Sequence, residues 1–310
     1  IGLTALAGSL VASTAFAGTM TLSGGAKFSY TDRSSTSAVK DSAANFAMDN
    51  EMTASGSAEL DNGMTVSVSH GLATGGSASG TSTLTLDMGD MGKLAYSDAD
   101  IGGGLKDLDD MTPTAYEEVT DGVQDEVQAA MGNGAGFSWS NTVAGASIGI
   151  QYSENFGASG TTDGKENTTA AGASSSHSIG VTYPVGDTGL TVYAGMGTEG
   201  QTDTTEIDHT TYGAKYAIGP VTIGAQVNDE DNSASDNTVA ADEDLETSIV
   251  GISFAVNDNL SISYGQHNTT STATGAKDQE LEGINISYSM GGMTLAINDA
   301  EGDNISNVSG

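Results

Sequence analysis

The chain has 310 residues, and its 41 acidic and 8 basic residues give a formal net charge of -33. Such a negative chain repels nucleic acid phosphates, which argues against DNA or RNA partners. The sequence contains no cysteine, so disulfides, thiolate metal sites and cysteine nucleophiles are excluded.

Residues 1–17 have the pattern of a secretory signal peptide. An apolar stretch of about 12 residues precedes Ala15-Phe16-Ala17, which fits an A-x-A cleavage site, so the mature chain is expected to begin at Gly18. The stretch is too short to cross a bilayer as a helix, and no later apolar run approaches the ~20 residues that a membrane helix needs. No initiator methionine and no basic segment precede Ile1, so we expect a truncation there.

From residue 18 onward, apolar residues alternate with small polar residues. One such segment contains Val221, Ile223, Ala225 and Val227 interleaved with Thr222, Gly224 and Gln226. A period of two is typical of a β-strand whose two faces meet different surroundings, and helical spacing fits none of these segments. We predict about 15 strands, the first near residues 19–30 and the last near residues 293–299.

The connections between the predicted strands alternate between short turns and long polar loops. The short ones have the composition of tight turns and are Asp61-Asn62-Gly63, Gly89-Asp90-Met91-Gly92, Ala144-Gly145, Gly186-Asp187-Thr188-Gly189, Gly219-Pro220, Asn257-Asp258-Asn259 and Gly291-Gly292. The long ones are residues 31–44, 71–80, 99–136, 154–175, 198–209, 229–244, 268–279 and 300 onward.

This alternation places every turn at one end of an antiparallel meander and every loop at the other. It predicts an all-β fold, a transmembrane antiparallel up-and-down β-barrel formed by residues 18–310. The seven turns and eight loops imply 16 strands in the intact protein. The closing strand is therefore expected beyond Gly310, after a second truncation.

The two faces of the predicted strands fit a barrel in lipid. Large apolar residues would face outward, and small hydroxyl residues would face a water-filled lumen. A soluble β-sandwich or β-solenoid also has alternating strands, but small hydroxyl residues could not fill a dry core. Aromatic residues at strand ends are candidates for interfacial girdles: Tyr30, Phe46, Tyr96, Trp139, Tyr152, Tyr183, Tyr193, Tyr212, Tyr216 and Tyr288.

The third long loop, residues 99–136, is the longest and is predicted to fold into the lumen as a pore constriction. Its candidate constriction residues are Asp107, Asp109, Asp110, Glu117, Glu118 and Asp121. Carboxylates at a constriction concentrate cations and repel anions. Asp121 as N-cap and the spacing of Val123, Val127 and Met131 predict a short helix within this loop. The alternative is an acidic external loop solvated in water.

Two lysines are expected to face the lumen opposite the acidic loop. Lys27 and Lys215 fall at inward positions of their strands and would set up a transverse field across the opening. Asp107, Asp109 and Asp110 are a candidate Ca²⁺ site, although the EF-hand spacing is absent.

Catalytic chemistry finds little support in the sequence. The four histidines show no metal-ligand spacing, and no Ser-His-Asp set is brought together by the strand register, so we expect no enzyme and no other cofactor. On charge alone, the external carboxylates are candidates to bridge through divalent cations to anionic lipid headgroups.

Two short segments carry a family resemblance. One is Leu22-Ser23-Gly24 followed by alternating Lys27, Phe28 and Tyr30, and the other is the run Asp107-Leu108-Asp109-Asp110. The first is similar to the first strand, and the second to part of the third loop, of the general bacterial porins, most closely their alphaproteobacterial branch. The architectural match extends from Gly18 to Gly310.

This resemblance implies a homotrimer of 16-stranded barrels in the bacterial outer membrane, in contact with lipid and lipopolysaccharide. It implies that the third loop narrows each pore and that small hydrophilic solutes and ions diffuse through. Porins of this family commonly carry an arginine cluster opposite the loop, whereas Arg33 is the only arginine here, which favours a preference for cations. The alternatives are a substrate-specific outer-membrane channel and a non-channel β-rich surface protein or adhesin.

Overall fold

The structure is a computed structural model that describes residues 20–32, 45–73, 81–99, 101–118, 134–153, 175–202, 205–232, 244–272 and 276–303. These residues form fifteen strands: β1 (Thr21–Thr31), β2 (Asn45–Glu59), β3 (Thr65–Ala73), β4 (Ser82–Asp87), β5 (Lys93–Ser97), β6 (Gly136–Val143), β7 (Ala146–Ser153), β8 (Ser176–Pro184), β9 (Leu190–Thr202), β10 (Thr205–Ile218), β11 (Val221–Asn232), β12 (Leu245–Asn257), β13 (Leu260–Ser271), β14 (Gln279–Met290) and β15 (Met293–Asp303). Short 3-10 helices cover Gly89–Met91 and Gly104–Leu108.

The chain divides into two compact units, residues 1–100 with 135–137 and residues 101–134 with 138–310. In the first unit, β1 to β5 pair antiparallel in sequence order. The turn at residues 61–63 is closed by the Asn62 side chain, whose Oδ1 accepts a hydrogen bond from Met64 N at 3.1 Å. The 3-10 turn at Gly89–Met91 is flanked by an ion pair of 3.3 Å between Lys93 and Asp87.

In the second unit, the strands from β7 to β15 also pair antiparallel with their neighbours in sequence. The turn after β6 has positive φ at both central residues, 51° at Ala144 and 86° at Gly145, as a two-residue hairpin requires. All seven predicted short turns lie between consecutive strands, so these predictions are confirmed.

The two faces of the sheet have the predicted polarity, which is the inverse of that in a soluble protein: the apolar face is exposed and the polar face is buried. Apolar residues such as Val250, Ile252 and Phe254 are exposed on one face of β12. Polar residues such as Ser178 and Gln226 are buried on the opposite face. A soluble sandwich buries its apolar face, whereas a sheet in lipid exposes it, so the pattern favours the membrane alternative. We call these surfaces the apolar face and the polar face.

The predicted long loop at residues 198–209 is wrong. Strand β9 continues to Thr202 and β10 begins at Thr205, with a register shift at Thr205/Glu206. The polar side chains that suggested a loop pair across this hairpin, since Thr198 Oγ1 donates to Asp208 Oδ1 at 2.7 Å. At this hairpin the polar residues therefore show where the apolar face ends, whereas the strands themselves continue beyond that point. The same holds, over fewer residues, where β11, β13 and β15 extend into predicted loops.

Three predictions lie outside the described residues. These are the signal peptide at residues 1–17, the short helix in the third loop, and the candidate constriction residue Asp121. Among the residues that the structure describes, no helix has both the length and the apolar character needed to cross a membrane.

Candidate functional site

The first half of the third loop, residues 101–118, lies along the polar face of the second unit. The 3-10 helix at Gly104–Leu108 packs on β7, β8 and β9. The segment that follows reaches β11 through Met111, β13 through Ala115 and β14 through Glu117. The loop thus runs across the strands and covers much of the polar face of this unit.

Glycines on the strands let the loop approach the sheet closely. A Cβ built on Gly149 would lie 2.8 Å from Gly104 N, and one on Gly224 would lie 2.6 Å from Pro113 Cδ. Real Cβ atoms do not approach other atoms so closely, so any larger residue at these positions would force the loop away from the sheet.

Side chains of the sheet bind the backbone of the loop at its beginning. Gln151 Nε2 donates to the carbonyl of Ile101 at 3.1 Å. Leu105 N donates to Ser178 Oγ at 3.1 Å, and Ser178 Oγ in turn donates to Gln151 Oε1 at 3.2 Å. Because Gln151 and Ser178 are both buried, these bonds satisfy backbone groups that water does not reach.

Gln226 on β11 binds the middle of the loop. Its Nε2 shares its two protons among three acceptors, the carbonyl of Leu108 at 2.9 Å, that of Asp109, and Asn228 Oδ1 at 2.9 Å. Its Oε1 accepts a hydrogen bond from Met111 N at 3.0 Å. Only 1% of Gln226 is exposed. This one buried amide therefore binds the loop backbone on both sides of Asp110, at the carbonyls before it and at Met111 N after it.

The last described part of the loop is held by β13 and β14. Ala115 N donates to Ser263 Oγ at 2.9 Å. Asn285 Nδ2 donates to the carbonyl of Glu117 at 2.6 Å, which fixes the backbone between two acidic residues. Sequence reasoning missed all of these anchors. The only signal was the presence of Gln and Asn among the interleaved polar positions.

The candidate constriction carboxylates differ in their surroundings. Asp107 and Glu117 are exposed, and Asp109 and Glu118 are half-buried. Asp107 Oδ1 also accepts a hydrogen bond from Gly103 N at 3.2 Å. These four carboxylates are therefore at least partly exposed, and that of Asp107 also lies next to β7, with Oδ2 3.1 Å from a Cβ built on Gly149.

Asp110 points instead toward the sheet. Its Oδ1 accepts hydrogen bonds of 2.6 Å from both Thr112 N and Thr112 Oγ1. Its Oδ2 lies 3.6 Å from Nε2 of His267 on β13, and the two side chains are only 6% and 1% exposed. Asp110 is thus part of the attachment of the loop, a role that its place in an acidic run did not indicate.

The two candidate lysines lie in different units. Lys215 is half-buried on the polar face of β10 and pairs with Gly224, over which Pro113 lies. It therefore lies close to Pro113 of the third loop, and the transverse field that it would set up across the opening stays a prediction. Lys27 belongs to the first unit, where it is exposed and pairs with Asp49 of β2.

One of the predicted girdle aromatics is misplaced. Tyr193 lies on the polar face, is 3% exposed and donates from its hydroxyl to the carbonyl of Ala225 at 3.4 Å. Its ring fills the space above Gly213, where a Cβ would clash with it. The girdle prediction for Tyr193 is therefore wrong, because position near a strand end does not tell which face a residue occupies.

The arrangement offers little for metal chemistry. Within the described ranges, no group of three or more His, Cys, Asp or Glu side chains is placed to hold a metal ion. Asp107 and Asp110 accept hydrogen bonds from different residues, Gly103 N and Thr112 N. The calcium site at Asp107, Asp109 and Asp110 stays a prediction.

Comparisons with known proteins agree with this architecture. The family model of Gram-negative porins matches residues 2–307. No curated protein sequence is similar enough to give a match.

Solved porins share the fold. A porin refined at 1.8 Å has 16% identity and a TM-score of 0.69, with 92% of this chain and 95% of that chain covered. The loop L8 deletion mutant of OmpT from Vibrio cholerae has 12% identity and a TM-score of 0.65, with 92% and 97% covered. OmpF of Salmonella typhi in complex with daunomycin has 14% identity and a TM-score of 0.60, with 88% and 87% covered.

The inverted polarity of the sheet, the family match over nearly the whole chain and the shared fold all agree. The chain belongs to the Gram-negative porin family, and its fold is the antiparallel up-and-down β-barrel of the bacterial outer membrane.

Proposed function

We propose that the protein is a general diffusion porin, a passive channel through which small hydrophilic solutes pass and in which cations are preferred. The observation that carries this proposal is the acidic third loop, held along the polar face by the sheet. A polar face in a porin barrel borders water, so a loop on that face narrows the channel. No chemical step is needed for this activity, which agrees with a protein that is not an enzyme.

The charge of the loop supports the preference for cations. Residues 101–118 contain five acidic residues and one basic residue, Lys106. Asp107 and Glu117 are the most exposed of the five. Carboxylates in a narrow opening with low-dielectric walls raise the local concentration of cations and lower that of anions.

A homotrimer in contact with lipid and lipopolysaccharide is part of the proposal. One of the similar structures is OmpT of Vibrio cholerae in a trimer form, which supports an assembly of three barrels. Two further hypotheses rest on charge alone. Divalent cations would bridge external carboxylates to lipid headgroups, and Ca²⁺ would bind at the loop.

Reversal potentials in planar bilayers test the function. With the full-length protein in a KCl gradient, we expect stepwise conductance and a reversal potential of the sign that indicates cation preference. Asp107→Asn with Glu117→Gln should move this potential toward zero. The matched control, Asp187→Asn with Asp258→Asn, removes two carboxylates from the short turns and should leave it unchanged.

Other outcomes would favour the alternatives. Saturable block of the current by one solute would indicate a substrate-specific channel. A folded protein without conductance would indicate a surface protein or adhesin. Equal reversal potentials for the native protein and the loop variant would contradict a role of these carboxylates in the pore.

A further inference from the structure

The hydrogen bonds between the third loop and the sheet join side chains of the sheet mainly to backbone groups of the loop. On the sheet side they are made by side chains of Gln151, Ser178, Gln226, Ser263 and Asn285. On the loop side they are made by backbone N–H and C=O groups, with one additional side-chain contact from Asn285 Nδ2 to Thr114 Oγ1 at 3.3 Å. Backbone groups are present whatever side chains the loop carries, so the hydrogen bonds to them do not depend on the loop's sequence.

Gln226 stands out among these residues. It is almost fully buried and makes both a donated and an accepted hydrogen bond to the loop backbone, to Leu108 O and from Met111 N. Its amide is itself oriented, since it also donates to Asn228 Oδ1, which accepts from Thr211 Oγ1 at 3.1 Å. A chain of buried polar groups therefore fixes the amide before the loop is bound.

We propose that Gln226, with Asn285 as a second anchor, is a positioning residue that sets the path of the third loop through its backbone, so that the carboxylates of the constriction can be changed without moving the loop. Asp110 and Thr114 are exceptions. The Asp110 side chain contacts Thr112 and His267, and Thr114 Oγ1 accepts a hydrogen bond from Asn285 Nδ2. The selectivity of the channel and the position of its narrowest part are then separable properties. The part of this inference that concerns selectivity rests on the proposed function, whereas the part that concerns loop position does not.

Loop position can be measured directly because the chain has no native cysteine. Thr112 lies on the loop against Gly251 of β12 and is 8% exposed, so Thr112→Cys introduces a thiol that reacts with a water-soluble maleimide only when the loop leaves the sheet. The labelling rate then reports the fraction of time for which the loop is detached. The experiment uses the full chain, refolded and reconstituted.

In the Thr112→Cys background, Gln226→Leu should accelerate labelling roughly 25-fold, because two hydrogen bonds to the loop backbone, of about fivefold each, are lost. Asn285→Leu should accelerate it by a smaller factor. Asp109→Asn with Glu117→Gln should leave the rate unchanged within twofold. Gln266→Leu is the matched control, because Gln266 is an exposed residue of the apolar face whose Nε2 donates to Glu282, and it should change nothing.

A second cysteine separates loss of loop position from loss of folding. Thr269 is 5% exposed on β13 and its hydroxyl faces Thr247, so Thr269→Cys reports opening of the sheet. Gln226→Leu should leave labelling at position 269 unchanged. If Gln226→Leu does not fold, Gln226→Glu tests the same point, because a carboxylate would face the carbonyls of Leu108 and Asp109 and should also accelerate labelling at position 112.

The inference is overturned if both Gln226 variants label at the rate of the parent, or if Asp109→Asn with Glu117→Gln labels as fast as Gln226→Leu. A failure of the proposed function would look different. The labelling rates would then follow these expectations, whereas the reversal potential would not change when the loop carboxylates are substituted.

Discussion

Cysteines at positions 112 and 251 should form a disulfide that ties the third loop to β12. A Cβ built on Gly251 lies 3.1 Å from Thr112 Cβ, whereas the Cβ atoms of a disulfide are about 3.8 Å apart. A relative shift of roughly 0.7 Å therefore suffices to reach disulfide geometry. No native cysteine competes for either thiol.

Thiol counting by mass spectrometry checks this prediction. The variant Thr112→Cys/Gly251→Cys should show no free thiol after oxidation and two after reduction. Because the loop already lies at this position, the oxidised and reduced forms should have equal reversal potentials.

The mismatched pair Thr112→Cys/Ser253→Cys is the control, since Ser253 is two residues further along the same strand, about 7 Å away. It should keep its thiols free. Two free thiols in the oxidised Gly251 variant, or equal crosslinking of both pairs, would refute the placement of the loop.

Two further substitutions probe how the loop is held. Gly224→Ala would place a Cβ 2.6 Å from Pro113 Cδ, and the steric cost of about 1–3 kcal/mol should speed maleimide labelling at Thr112→Cys. The control Gly25→Ala, whose Cβ would have nothing within 4 Å, should leave the labelling rate unchanged. Equal rates for the two variants would contradict the close approach of the loop to Gly224. Asp110→Asn should weaken the attachment and speed labelling at Thr112→Cys, because a neutral amide replaces the buried carboxylate 3.6 Å from His267 Nε2. It should shift the reversal potential less than Glu117→Gln does; a larger shift would place Asp110 in the pore.

The strand pattern was predictable because a bilayer imposes it on every strand. One face meets hydrocarbon and the other water, so alternation and tight turns were enough to predict the strands and the seven turns. The hairpin at residues 198–209 was not predictable in the same way. Beyond the apolar band both faces meet water, so Thr198 and Asp208 pair across strands without any alternation that marks them.

The attachment of the third loop was only partly predictable. Its acidic composition and length pointed to a constriction, but the residues that hold it were missed, because Gln226 and Asn285 bind backbone groups and have no partner recognisable in the sequence. Tyr193 was assigned to the wrong surface for a related reason: a tyrosine fits either a lipid interface or a polar face that offers a carbonyl acceptor.

The orientation of the two faces is tested most directly by spin labels placed along β12 of the protein in lipid vesicles. Labels at Val250, Ile252 and Phe254 should collide mainly with oxygen, which concentrates in hydrocarbon. Labels at Ser253 and Ala255 should collide mainly with a water-soluble nickel complex. The opposite assignment, or no alternation between neighbouring positions, would contradict a barrel whose apolar face meets lipid.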